Sequence, residues 1–164
     1  MKLRFGILTS SDRSAHGERP DLSGPALAEL VASQGWTVVR TTVLPDDLEA
    51  LTGTLAAWAD ADDLDIILTT GGTGFAPRDV APEATRAVIE REAPGLAEAM
   101  RAESLKVTPH AMLSRSLTGI RGKVLIINLP GNPKAAVENL QVIIPVLAHA
   151  VELLRDNPDA EKHH

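Results

Sequence analysis

The sequence predicts an α/β fold with three layers, α/β/α, around a mostly parallel central sheet. Three observations carry that expectation. Strand-like and helix-like segments alternate along the chain. Two branched apolar runs, one from Asp65 to Leu68 and one from Lys123 to Asn128, lack polar alternation, as strands buried on both faces do. Each run ends in a turn carrying glycine, Gly71 to Gly74 after the first and Gly131 after the second. Repeated βα units of this kind build a parallel sheet with helices on both faces.

In chain order, Arg4 to Thr9 reads as a first strand with Thr9-Ser10-Ser11-Asp12-Arg13 as its polar exit. Hydroxyls and a carboxylate at a strand end either donate to phosphate oxygens or form Asx and Ser turns, and both readings stand. The connection through His16, Gly17, Glu18 and Arg19 is long, a length often found in binding segments. Ser23 is expected to cap a helix with Pro25 in its first turn and Leu27, Leu30 and Val31 on its apolar face, stopped by Gly35. Trp36 to Leu44 is a β-branched second strand. Pro45-Asp46-Asp47 then introduces a helix with Leu48, Leu51, Leu55 and Trp58 at helical spacing. Asp46 has two readings, an N-cap or a Mg²⁺ ligand at a strand end.

The run from Asp65 through Thr69 and Thr70 into Gly71-Gly72-Thr73-Gly74 is the stretch around which the rest is organised. Ligands of open α/β sheets bind at the carboxyl ends of strands, and glycines there let backbone N–H groups approach an anion closely. Pro82 fits a first helical turn, with Ala84, Val88 and Ile89 as the buried stripe, and Pro94 restarts a helix through Leu96, Ala97 and Met100. Ser104 to Gly122 is expected to be irregular, its Lys106, Ser114, Arg115 and Ser116 belonging either to a ligand-facing segment or to a surface loop. Lys123 to Asn128 is the fourth strand. Leu129-Pro130-Gly131-Asn132-Pro133-Lys134 is a second strand-to-helix turn, whose helix N-terminal amides and Lys134 suit a phosphate or carboxylate. The last helix buries Val137, Leu140, Ile144, Leu147, Val151 and Leu154, and Pro145 is expected to kink or split it.

Composition bounds the function. A chain of 164 residues with 44% hydrophobic content buries one full core, and no linker divides it. The expectation is a single domain over 1–155 with a polar, fraying tail over 156–164, whose His163-His164 pair carries no inference. There is no cysteine, which excludes disulfides, thiolate metal sites and cysteine nucleophiles. No signal-type apolar region follows Met1, and no apolar stretch approaches the roughly 20 residues of a membrane span, so a cytoplasmic protein without a membrane segment is expected. The net charge of −6 and 2% aromatic content argue against nucleic-acid binding. An acidic chain still binds a phosphorylated ligand when amides and a few cations are focused in one cleft. Asp60, Asp62, Asp63 and Asp65 read as a solvated helix end and loop rather than a metal site. Neither G-x-G-x-x-G after the first strand nor G-x-x-x-x-G-K-[ST] anywhere is present, which weighs against a nicotinamide oxidoreductase and a P-loop NTPase.

Thr70-Gly71-Gly72-Thr73-Gly74, Pro77-Arg78-Asp79-Val80 with Pro82-Glu83-Ala84-Thr85, Leu113-Ser114-Arg115 and Leu129-Pro130-Gly131-Asn132-Pro133 occur in one order and spacing. In that arrangement the chain resembles the molybdopterin adenylyltransferase family, which includes bacterial MogA and the G domain of gephyrin. The likeness extends from Ile7 through Pro45-Asp46 to about Leu154. It implies the MogA-like molybdopterin-binding fold and transfer of AMP from Mg²⁺-bound ATP to the terminal phosphate of molybdopterin, with release of pyrophosphate. It also implies a homotrimer and hand-off of the product to a MoeA-type molybdate insertion protein.

Carried over residue by residue, Asp46 and Asp79 match the two aspartates on which activity in the family depends. The resemblance gives Asp46 a Mg²⁺ or nucleotide-positioning role and Asp79 a place beside the reacting phosphates or the pterin. These assignments are exchangeable, since either carboxylate can accept paired N–H bonds from a pterin edge. Ser11, Gly71 to Gly74, Pro130, Gly131 and Asn132 fall where phosphate oxygens are held. Ser114 and Arg115 fall in the pterin-binding region, with a plain turn hydroxyl as the other reading of Ser114. The alternative for the whole chain is a MoaB-like paralogue that binds molybdopterin without adenylylating it.

Overall fold

The computed structural model describes residues 1–163, so the terminal histidine pair lies partly outside the described residues. Four strands, β1 (Arg4–Ser10), β2 (Thr37–Leu44), β3 (Ile66–Thr70) and β6 (Val124–Leu129), run parallel. Two more, β4 (Arg91–Glu92) and β5 (Thr118–Arg121), add an antiparallel edge, giving the order β2-β1-β3-β6-β5-β4. The four expected strands are present, while β5 corrects the expectation that Ser104 to Gly122 is irregular, and β4 is a further strand that the sequence reading did not include. Two and four residues are too few to show a period in sequence. The same stretch holds a 3₁₀ turn, Pro109–Leu113, and Gly122 at φ 58° closes the tight β5–β6 hairpin.

The helices are α1 (Asp12–Ala15), α2 (Ser23–Ser33), α3 (Leu48–Asp60), α4 (Ala81–Val88), α5 (Pro94–Leu105) and α6 (Pro133–Leu154). The sheet separates two cores. Phe5, Ile7, Ile66, Leu68, Leu125 and Ile127 pack with Leu27, Val31, Met100, Leu140 and Leu147 on the α2, α5 and α6 side. Leu8, Ile67 and Ile126 pack with Leu51, Leu55, Ala84 and Val88 on the α3 and α4 side. Alternate residues of each central strand therefore meet opposite layers, which is why these strands are apolar throughout. The chain is the expected three-layer α/β/α fold.

Several local expectations are corrected. Ser23 is the first buried turn residue of α2, and the capping carboxylate is Asp21, whose Oδ1 accepts from the Gly24 N–H at 3.1 Å. Asp47 caps α3 by accepting from the Ala50 N–H at 2.8 Å, so the cap reading of Asp46 is excluded and its carboxylate points elsewhere. Asp65 is 2% exposed rather than solvated. It accepts from the Arg4 N–H at 2.8 Å and from the Arg4 and Arg155 guanidinium groups. Burial pushes its pKa up, but those bonds more than reverse this and hold it below the ordinary value. Among the described residues, no group of three or more potential metal ligands occurs.

Pro145 does not split α6, which runs unbroken for 22 residues. The proline lies on the exposed side together with Gln141, where water can solvate the carbonyl that lacks a donor. By length and composition alone α6 is long and apolar enough to cross a membrane, an exception to the sequence expectation. Its Ala136, Leu140, Ile143, Leu147 and Val151 stripe is buried in the protein core. Beyond Arg155 the chain turns through a 3₁₀ segment, Ala160–His163, with Ala160 buried.

Candidate functional site

Register brings the strand ends level. Thr9 pairs with Thr70, Ser10 with Leu44, and Thr70 with Leu129, so the loops leaving β1, β2, β3 and β6 emerge together. The glycines are there because the loops touch. Gly71 has φ 95°, and a Cβ built on it would lie 2.4 Å from the Ser10 carbonyl oxygen. A Cβ on Gly131 would lie 3.2 Å from the Gly71 Cα. The Gly71 N–H donates to the Leu129 carbonyl at 3.1 Å, and the Thr70 hydroxyl to the Pro130 carbonyl at 2.8 Å, which locks the two glycine turns together.

Two clefts open on either side of this joined wall. The first, about 390 Å³, is bounded by Ser10, Ser11, Asp46, Gly71, Gly72 and Asp79, with Arg19 and Asp21 at its outer side. The second, about 420 Å³, lies between Thr73-Gly74, Ser114 and the start of α6, and is predominantly apolar with Arg101 and Lys134 at its edges. Asn132 lines both. The glycine loop is thus a partition whose first two residues face one cleft and whose last two face the other. The amides of Gly72, Thr73 and Gly74 have no intramolecular partner among the described residues. Asn132 caps α6 by accepting from the Ala135 N–H at 3.1 Å, placing a helix N-terminus at the junction.

Asp46 is held by a reciprocal clasp. Its Oδ1 accepts from the Ser10 hydroxyl at 2.7 Å and its Oδ2 from the Asp12 N–H at 3.1 Å, while its own N–H donates to Asp12 Oδ1 at 3.0 Å. Arg78 closes the cluster with bonds of 2.6 and 3.0 Å to the Asp12 carboxylate, and its guanidinium holds Asp12 below the usual carboxylate range. Asp79 reaches the same cleft from the other loop, and its Oδ2 accepts from the Ala76 N–H at 3.0 Å. Ser11 fits the turn reading, with its hydroxyl accepting from the Ser14 N–H at 3.2 Å, and it also lines the first cleft.

Ser114 lines the second cleft, with its carbonyl accepting from Arg101 at 2.9 Å. Arg115 is placed differently from the other sequence-derived site residues. Its guanidinium turns to the Gly74–Glu83 segment and lines neither of these two clefts.

Sequence reasoning missed Asp21, Arg101 and Asn139 as cleft residues. For Asp21 a signal was present, since an Asp three residues before Gly24 at a helix start has capping spacing. Arg101 and Asn139 come from helix faces that converge only in the fold.

Three carboxylates, Asp21, Asp46 and Asp79, surround the first cleft against the cation Arg19. Hard oxygen donors on one or two carboxylates, without a full protein cage, suit Mg²⁺ that brings phosphate and water ligands with it. An acidic cleft of this kind admits a polyphosphate together with a divalent cation.

Comparison with known proteins places the chain in a family. The pattern of the family described as "Probable molybdopterin binding domain" matches residues 6–149. The molybdopterin adenylyltransferase of Helicobacter pylori strain J99 is 40% identical over 157 residues, covering 94% of this chain and 89% of that protein. The molybdenum cofactor synthesis protein cinnamon of Drosophila melanogaster is 46% identical over 156 residues, covering 94% of this chain but 26% of that protein. The chain therefore spans about a quarter of that relative. The crystal structure of the molybdopterin biosynthesis enzyme MoaB from Thermus thermophilus superposes with a TM-score of 0.89 at 49% identity, covering 95% of this chain and 98% of that one.

Proposed function

The chain belongs to the molybdopterin-binding domain family, and we propose that it is a molybdopterin adenylyltransferase, moving AMP from ATP to the terminal phosphate of molybdopterin. The observation that carries this reading is the pair of clefts sharing one wall, Gly71 to Gly74 with Asn132. Two anionic substrates that must react at their phosphates need separate chambers for their bodies and a common boundary for their phosphates.

The first cleft takes ATP and the second the pterin. A phosphate oxygen of molybdopterin attacks the α-phosphorus of ATP, a new P–O bond forms, and the α–β anhydride bond breaks to release pyrophosphate. Catalysis here is mainly in-line positioning and charge stabilisation. The amides of Gly72, Thr73 and Gly74 and the hydroxyls of Ser10 and Ser11 hold phosphate oxygens at the wall. Pro130, Gly131 and Asn132 complete it and aim the α6 N-terminus at the same charge. Asp46 and Asp79 would hold a Mg²⁺ ion entering with the nucleotide. The chemistry such an ion would supply there is neutralisation of the charge developing on pyrophosphate. Asp46 positions the nucleotide from its Ser10–Asp12 clasp, and Asp79 faces the reacting phosphates. Ser114 offers its hydroxyl to the pterin, and Lys134 and Arg101 supply positive charge at the second cleft. The active form is a homotrimer in the cytoplasm, and its adenylylated product passes to a MoeA-type insertion protein.

A MoaB-like reading, in which the pterin is bound and left unmodified, is favoured by the 49% identity to the Thermus protein of that name. One experiment separates the two. The chain is incubated with molybdopterin, Mg²⁺ and ATP, and the products are resolved by mass spectrometry. Adenylylated pterin with one equivalent of pyrophosphate is expected; bound, unaltered pterin would leave the MoaB-like reading in its place.

A further inference from the structure

Asp79 sits on a segment that has little else to hold it. Phe75 to Arg78 are exposed, with Phe75 at 68%, so no apolar anchor fixes the loop between Gly74 and Asp79. Its shape depends on a few polar bonds. Ala76 and Asp79 bond each other, the Ala76 N–H to Asp79 Oδ2 at 3.0 Å and the Asp79 N–H to the Ala76 carbonyl at 2.9 Å. The Ala81 N–H donates to the Gly72 carbonyl at 3.1 Å. Arg78 ties the segment to the Asp12 carboxylate with bonds of 2.6 and 3.0 Å, and the remaining bonds come from Arg115. Its Nε donates to the Gly74 carbonyl at 2.8 Å and its Nη2 to the Asp79 carbonyl at 2.7 Å, so one planar group spans both ends of the segment. Glu83, on the helix that follows, fixes that plane from behind with bonds of 2.7 and 3.1 Å. The Arg115 backbone N–H donates to the Thr73 carbonyl at 2.8 Å, and the preceding residue, Ser114, lines the second cleft.

We propose that Arg115 is a positioning residue for Asp79, a strap that sets the direction of this carboxylate in the nucleotide cleft from a backbone anchored at the wall of the pterin cleft. A planar fork with fixed donor directions suits the task, and a lysine, with a single flexible ammonium, cannot span two carbonyls and a carboxylate at once. The proposal deepens the functional reading, because it gives Asp79 its role from that reading. It replaces a direct contact of Arg115 with the pterin by an action through the loop.

The test has one arm that needs no catalysis. Amide hydrogen exchange is followed on the free protein and on Arg115→Gln. The Ala76, Asp79 and Ala81 amides should exchange about 10- to 100-fold faster, the range for losing a hydrogen bond to a charged group, while amides of the central strands stay unchanged. Equal acceleration throughout the core would show a general structural role and overturn the proposal, as would unchanged protection at Ala76.

The second arm is AMP transfer. In Arg115→Gln, kcat should fall about 10- to 100-fold with KM for molybdopterin within about threefold, and Arg115→Lys should not restore it. Placed on Asp79→Asn, the same change should cost less than about twofold, since the two residues act as one unit. A raised KM for the pterin with kcat intact would mean direct contact and overturn the proposal. If the unaltered protein transfers no AMP, the functional reading fails, and the exchange arm still decides whether Arg115 orients Asp79.

Discussion

Asp46→Asn isolates charge from shape in the first cleft. The native carboxylate accepts from the Ser10 hydroxyl at 2.7 Å and the Asp12 N–H at 3.1 Å. An asparagine can keep both bonds by turning its oxygen to the Asp12 N–H and its amide to the Ser10 oxygen, which accepts as readily as it donates. The backbone bond from residue 46 to Asp12 Oδ1 is untouched. Stability should therefore change by about 1 kcal/mol or less, or roughly 2–4 °C in Tm for a chain of this size. The negative charge is lost. If that charge positions the nucleotide and its cation, kcat for AMP transfer should drop by about 10²–10³, the range for removing one preorganised electrostatic group. Initial rates of pyrophosphate release at saturating ATP and molybdopterin, paired with thermal unfolding of the same samples, read both quantities. A variant that unfolds normally and turns over within about threefold of the parent would remove Asp46 from the mechanism.

Three other outcomes are expected. Asn128 is fully buried beneath the glycine wall, donating to the Thr69 and Thr85 hydroxyls at 2.9 and 2.8 Å and accepting from the Leu117 N–H at 3.1 Å. Asn128→Ala should cost about 2–5 kcal/mol, read as a lower denaturant midpoint with the slope unchanged; a midpoint at the parent value would contradict this network. Because the folded pKa of Asp65 is depressed, its contribution to stability is complete above the ordinary carboxylate range and is lost as pH falls through the folded value. Arg155→Gln weakens that hold, so acid unfolding should begin at a higher pH, and an unmoved acid transition would count against the ion cluster. Ser114→Ala should raise KM for molybdopterin more than KM for ATP, and equal effects on both would argue against its place in the pterin cleft.

Much of the parallel framework was legible because its physical causes are local. Ile66 to Leu68 and Val124 to Ile127 meet helix layers on both sides, so burial wrote an unbroken apolar signature there. The glycines at 71 and 131 were visible for a similar reason, since two loops approach too closely for side chains. What was hidden depends on long-range encounters. Asp65 looks like its acidic neighbours until Arg4 and Arg155, 61 and 90 residues away in sequence, are brought to it. β4 pairs through two residues only, and its partner β5 exists because a hairpin folds back on β6. The role of Asp46 was ambiguous between cap and ligand because Asp47 is an equally good cap, and only the backbone angle at the helix start separates them. Arg115 reads as a free cation until the fold supplies four oxygen acceptors, from Gly74, Asp79 and Glu83, around it.

The partition at Asn132 and the glycine loop also bears on how a turnover ends. A product made by joining the occupants of the two clefts is a bivalent ligand, with one half lodged on either side of a thin wall. If one half lets go, the other keeps it tethered at an effective concentration in the millimolar range for a short linkage, so rebinding competes with escape. Each substrate enters through a single door, while the product must leave through two at once. On the proposed function, slow release of the joined product is the expected consequence of such an arrangement.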